Sequence, residues 1–145
     1  MNFFKVLMLI FSMGVIGCSV AQTQEASLPS SYALPGTSTA VVGIGVDKKG
    51  IPLETVKEVV LGPGQKVIFA GPDKFTIKFK NKKTPSRMLK YESKGGVITI
   101  EVPKNILELP EFSDEFRKNN FLRFDYSIFV NGRELDPPMI VKREF

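Results

Sequence analysis

Apolar and polar positions alternate with a period of two over most of this chain. Residues 75–80 show it most cleanly: Phe75, Ile77 and Phe79 point one way, and Thr76, Lys78 and Lys80 the other. Such alternation predicts a strand with one buried face. Residues 97–102 alternate as well, and residues 121–130 place Phe124, Tyr126, Ile128 and Val130 on one face. Shorter apolar runs at 40–46, 56–61 and 65–70 read as further strands, with Gly43 and Gly45 weakening the first. Residues 135–143 read as the closing strand.

The breaks between these runs carry turn chemistry. Gly62-Pro63-Gly64, Gly71-Pro72-Asp73 and Asp136-Pro137-Pro138 are turn tripeptides. Asn131-Gly132 between two apolar runs is a strong hairpin signal. Residues 81–96 read as a long polar connection, and residues 114–118 as no more than one helical turn. Short strands, Gly/Pro turns and almost no helical period predict an all-β domain. A strand with one apolar face must bury it against a second sheet, so the expected fold is an antiparallel β-sandwich of about seven strands.

The first 39 residues break this pattern. Lys5 precedes an apolar stretch at 6–16, interrupted only by Ser12 and Gly14. At about 11 residues it suits a signal-peptide core and is too short to span a bilayer, which needs ~20 apolar residues. The stretch ends in Val15-Ile16-Gly17-Cys18, which resembles a bacterial lipoprotein lipobox, and Cys18 is the single cysteine. That resemblance implies cleavage before Cys18 and lipidation of its thiol, palmitate among the usual acyl groups. Two or more chains, at about 0.8 kcal/mol per buried CH₂, anchor stably. Ser19 after the cysteine resembles lipoproteins sorted to the outer membrane, facing the periplasm. The competing site is Ser19-Val20-Ala21, where ordinary signal-peptidase cleavage releases a soluble periplasmic or secreted protein. Residues 18–39 carry no Lys or Arg and are rich in Ser, Thr, Gln, Ala and Pro, the composition of a flexible tether; the competing reading is an ordered first strand around Tyr32-Leu34. The expected organisation is therefore a signal peptide at 1–17, a lipidated cysteine and linker at 18–39, and the β-sandwich at 40–145.

Two further segments resemble a known fold family. The run Val59-Val60-Leu61-Gly62-Pro63-Gly64-Gln65-Lys66-Val67-Ile68-Phe69, followed by Phe75-Thr76-Ile77-Lys78-Phe79, resembles the opening strands of cupredoxin-like domains. Tyr126-Ser127-Ile128-Phe129-Val130-Asn131-Gly132, with Leu135-Asp136-Pro137, resembles the closing hairpin of small periplasmic sandwiches. The resemblance implies a cupredoxin-like or immunoglobulin-like sandwich. Cupredoxins hold copper with two His, a Cys and usually a Met. This chain has no histidine, and its cysteine precedes the domain, so no copper ligand carries over. The expectation is a sandwich without cofactor or metal.

The missing histidine also excludes Ser-His-Asp and Cys-His catalysis. An enzyme would have to rely on carboxylates or a metal. Glu108, Glu111, Asp114 and Glu115 cluster before the long strand, but Pro110 and Phe112 interrupt them, and the spacing matches neither a glycosidase pair nor a calcium loop. They read as an exposed acidic loop able to pair with a basic segment. The expected protein is not an enzyme.

Removing Lys5 leaves 19 bases against 15 acids, a mild excess. It is concentrated: residues 74–94 hold eight bases and one acid, Glu92. Lys78, Lys80, Lys82, Lys83, Arg87 and Lys90 are the candidate contacts for an anionic envelope component or protein partner. The competing reading is a solvated face with lysines guarding an edge strand. Nucleic acid is not an expected partner, since stacking aromatics are not interleaved with the bases. The functional expectation is a membrane-anchored binding or structural lipoprotein of the cell envelope. The alternative is a secreted sandwich that binds a small ligand or glycan.

Overall fold

The structure, a computed structural model, describes residues 31–32 and 38–143; Cys18 and both expected processing sites lie outside them. The described residues fold as a β-sandwich. One sheet runs β3 (Pro52–Glu54), β2 (Thr39–Val46), β5 (Lys66–Ala70), β8 (Val97–Glu101). The other runs β1 (Ser31–Tyr32), β4 (Val59–Leu61), β11 (Pro138–Lys142), β9 (Phe121–Val130), β6 (Thr76–Phe79), β7 (Lys90–Glu92), with β10 (Arg133–Leu135) paired to β9.

The alternating residues behave as their pattern demands. Phe75, Ile77 and Phe79 turn inward with Leu122, Phe124, Tyr126, Ile128 and Val130, and all are buried. From the four-stranded sheet Val42, Ile44, Val67, Phe69, Ile98 and Ile100 complete one continuous core. The Phe69 and Tyr126 rings meet edge-on with centroids 5.7 Å apart, joining the two layers. Asn131 and Gly132 both take positive φ, 50° and 76°, and Val130 pairs with Arg133. This is the tight hairpin their sequence signals.

Three expectations need correction. The strands number eleven among the described residues rather than about seven, and the sheets are mixed rather than antiparallel. β2 pairs parallel with β5, and β4 pairs parallel with both β1 and β11. The physical reason is the crossing between layers. After β2 the chain passes through β3 into β4 of the other sheet, then returns at Gly62-Pro63-Gly64 to lay β5 beside β2. Parallel neighbours require such crossovers. Val59, Val60 and Leu61 of β4 are all buried, the continuous apolar run of a strand covered on both faces.

The third correction concerns the segment before the long strand. Pro110–Asn119 forms α1, a ten-residue helix and not a single turn. Pro110 sits in its first turn, where the missing N–H is no loss. Asn120 ends it in the left-handed conformation at φ 62°, its N–H donating to the Phe116 carbonyl at 2.8 Å. Phe112 is buried against Phe124, edge-on at 5.4 Å, and so fixes the helix to β9. The closing strand also divides: Asp136 and Pro137 separate β10 from β11. Ser31 and Tyr32, within the stretch assigned to the tether, pair with Val59 and Val60. No helix among the described residues is long and apolar enough to cross a membrane.

Candidate functional site

The basic residues lie along β6, β7 and the loop between them, on the outer side of the larger sheet. The structure sorts the six candidates into two groups.

Lys80, Lys83 and Lys90 are tied to acids. The Lys80 ammonium lies 2.6 Å from Asp136 Oδ2 and 4.0 Å from Glu134 Oε1. The Asp136 bond holds Lys80 above its ordinary pKa, and the same bond, aided by the Ser127 hydroxyl at 2.7 Å, holds Asp136 below its own. Lys83 turns back onto the body. Its ammonium donates to Glu115 Oε2 and, at 2.6 Å, to the Arg123 carbonyl, and it stands 5.0 Å from the centre of the Phe124 ring. Lys90 meets Glu92 at 2.6 Å, which lowers the Glu92 pKa.

Lys78, Lys82 and Arg87 form no ion pair among the described residues, and all three are exposed. Lys78 lies directly opposite Lys90 across the strand pair. Like charges facing each other across a sheet are unfavourable unless an anion balances them. Asn81 and Lys82 both hold φ at 55°, and the Lys83 N–H donates to the Lys80 carbonyl at 3.0 Å. That is a turn of the primed kind. Asparagine accepts the left-handed region readily; a lysine there is strained by roughly 1–2 kcal/mol.

Lys78, Lys80 and Lys82 line a groove of about 480 Å³ whose apolar side chains are Leu89 and Phe129, with Glu134 also lining it. Cations over an apolar floor suit an anion that carries apolar substance. The loop beyond is braced from inside. Thr84 Oγ1 donates to the Met88 carbonyl at 2.9 Å, Ser86 bonds the Tyr91 hydroxyl, and Pro85 is buried.

The acidic cluster does not form a site of its own. Glu115 reaches Lys83 and accepts the Arg123 N–H at 3.0 Å, so this acid pairs with the basic segment as its sequence suggests. Asp114 pairs instead with Arg117 at 3.1 Å on the same helix. Among the described residues no group of three or more Asp, Glu, His or Cys stands close enough to hold a metal ion. Of the two thioethers in the domain, Met139 is core and Met88 is exposed on the loop.

Sequence reasoning missed one polar contact entirely. Glu54 on β3 is 7% exposed and faces the core. The Tyr126 hydroxyl donates to Glu54 Oε1 at 2.7 Å, and Oε2 has no hydrogen-bond partner among the described residues. Burial pushes the Glu54 pKa from 4.5 to about 7, and the Tyr126 hydrogen bond offsets only part of that. Burial, and then the adjacent carboxyl, push Tyr126 well above its ordinary value. A hollow of about 310 Å³ adjoins this pair, walled by Leu53, Val56, Leu135 and Pro137. The only sequence signal is the alternation of Pro52, Leu53 and Glu54, too short to show which face is buried.

No protein-family model and no curated protein matches the chain. Among solved structures it is similar to the Cu-containing nitrite reductase (NirK) from Thermus scotoductus SA-01, at 8% sequence identity and a TM-score of 0.41. The alignment covers 81% of this chain and 23% of that one, so the chain spans about a quarter of the length of that enzyme. The class of the present fold, a two-layer β-sandwich, rests on its own sheets.

Proposed function

We propose that this chain is a non-enzymatic, membrane-anchored binding module of the bacterial cell envelope. In this reading a lipid on Cys18 holds it at the periplasmic face of the outer membrane. The cupredoxin-like sandwich carries no copper, and its basic face on β6 and β7 meets an anionic partner. One observation carries the reading: among the described residues Lys78, Lys82 and Arg87 remain exposed and without ion pairs, while Lys80, Lys83 and Lys90 are neutralised.

Heparin serves as a general anionic probe. Titrated into the full chain, it is expected to shift backbone amide resonances at residues 78–90 first. The triple substitution Lys78→Glu, Lys82→Glu, Arg87→Glu abolishes those shifts. Equal shifts at Lys48, Lys49 and Lys104 would show diffuse charge and end the proposal. Mass spectrometry of the N-terminal peptide tests the anchor separately.

The alternative, a small-ligand or glycan binder, draws support from the hollow beside Glu54. It requires a ligand that raises the melting temperature and loses that effect in Leu135→Asp.

A further inference from the structure

The occupant of the basic face is legible in the residues that extend it. Arg87, Met88, Leu89 and Lys90 are four consecutive exposed residues. Met88 is 54% exposed and Leu89 40%. Single exposed apolar residues are ordinary on protein surfaces. Two large ones side by side, directly after Arg87, make a different pattern: an apolar pair beside unpaired positive charge. Lys82 stands in the same loop, and Lys78 shares the groove wall with Leu89.

We infer that residues 81–90 form a bilayer-docking loop, in which Met88 and Leu89 enter the headgroup boundary of an anionic membrane while Lys78, Lys82 and Arg87 meet its phosphates. This rests on reading the basic face as a binding surface, and it names the partner. The argument is complementarity of charge and polarity together. An anionic bilayer presents phosphate oxygens above hydrocarbon, and basic residues around apolar side chains match that order. An acidic protein surface matches the bases and leaves the two apolar side chains without a counterpart.

The loop is built to hold this presentation. Lys83 is withdrawn to Glu115 and the Arg123 carbonyl, so one base pins the loop while Lys82 and Arg87 point into solvent. Thr84 fixes the Met88 carbonyl and Ser86 bonds Tyr91, so little order remains to be gained on docking. The left-handed backbone at Lys82 keeps a base where glycine is the easier residue.

The chain contains no tryptophan, so Met88→Trp introduces a single indole, excited apart from the tyrosines, at the tip. The full chain carrying it is mixed with phosphatidylcholine vesicles, with or without phosphatidylglycerol. The expected result is a blue-shifted emission, quenched by brominated lipid, only where phosphatidylglycerol is present. Adding Lys78→Glu, Lys82→Glu and Arg87→Glu removes the shift, each lost base weakening the docked state roughly fivefold. Val97→Trp, exposed on β8 of the opposite sheet, stays unshifted. An indole at position 88 that remains water-exposed on anionic vesicles overturns the inference, as does an equal shift at position 97. If the triple variant still loses heparin binding in that case, the basic face binds a soluble acidic macromolecule and only the membrane assignment falls. If heparin binding survives the triple variant, the underlying reading falls as well.

Discussion

Glu54 and Glu115 each join distant parts of this chain, and they do so in opposite ways. Glu54 is enclosed between the layers with a neutral tyrosine as its partner. Among the described residues it has no ion pair, so it lowers its cost of burial by keeping a proton near neutral pH. Glu115 lies at the half-exposed margin of α1, where Lys83 supplies a charge and the Arg123 N–H a second bond. The difference teaches where this protein tolerates charge. Inside the sandwich an acid is carried neutral, whereas on the outer side of the larger sheet acids and bases cancel in pairs. Among the six candidate bases, Lys78, Lys82 and Arg87 are left over from that cancellation.

The largest expected effect breaks the buried contact. The Glu54 pKa is about 7 when folded and about 4.5 when unfolded, so the folded state binds the extra proton between those values. Stability from this group is fully present below pH 4.5 and is lost as pH rises through 7, by about 3 kcal/mol in all. Glu54→Gln removes that slope. Urea denaturation of both proteins at pH 5 and pH 8 reads it, and parallel pH dependence in the two would contradict a protonated Glu54.

The exposed margin yields smaller changes, and two lysines separate its parts. Lys83→Met breaks two charge-assisted bonds at a half-buried site and is expected to destabilise by about 1–3 kcal/mol. Lys80→Met disturbs partners that are about half exposed, and its expected cost is smaller than that of Lys83→Met and fades in salt. Melting curves at low and high ionic strength distinguish the two; similar losses at both positions would erase the contrast.

The smallest effect is a gain. Lys82→Gly relieves the left-handed backbone and is expected to stabilise by about 1 kcal/mol while weakening heparin binding. A loss of stability would show that Lys82 is held by contacts and not strained.

The fold was legible where side chains alternate over enough residues. Residues 121–130 are β9 without a change of bounds, and Phe75, Ile77 and Phe79 face inward as their spacing requires. Partners were not legible, because alternation reveals a strand's faces and says nothing of its neighbour. The parallel pairs around β4 escaped for that reason. β3 and β7, three residues each, are too short to show a period. Pro110 reads equally as a breaker and as a helix start, and the Phe112–Phe116 spacing behind it was the better guide. Within the basic segment, the sequence marks the charges but not their fates. Which lysines are neutralised depends on Asp136 and Glu115, brought close by the β9–β10 hairpin and by α1.

The position of β11 has a consequence for assembly. It is an interior strand, with β4 on one side and β9 on the other, and it joins Val59 to Met139 and Leu61 to Val141. Until those residues arrive, β4 and β9 each present a bare hydrogen-bonding edge, the kind that recruits strands from other molecules. The larger layer is sealed like an arch by a piece that comes late in the chain. A newly emerging polypeptide must be shielded until that stone drops in.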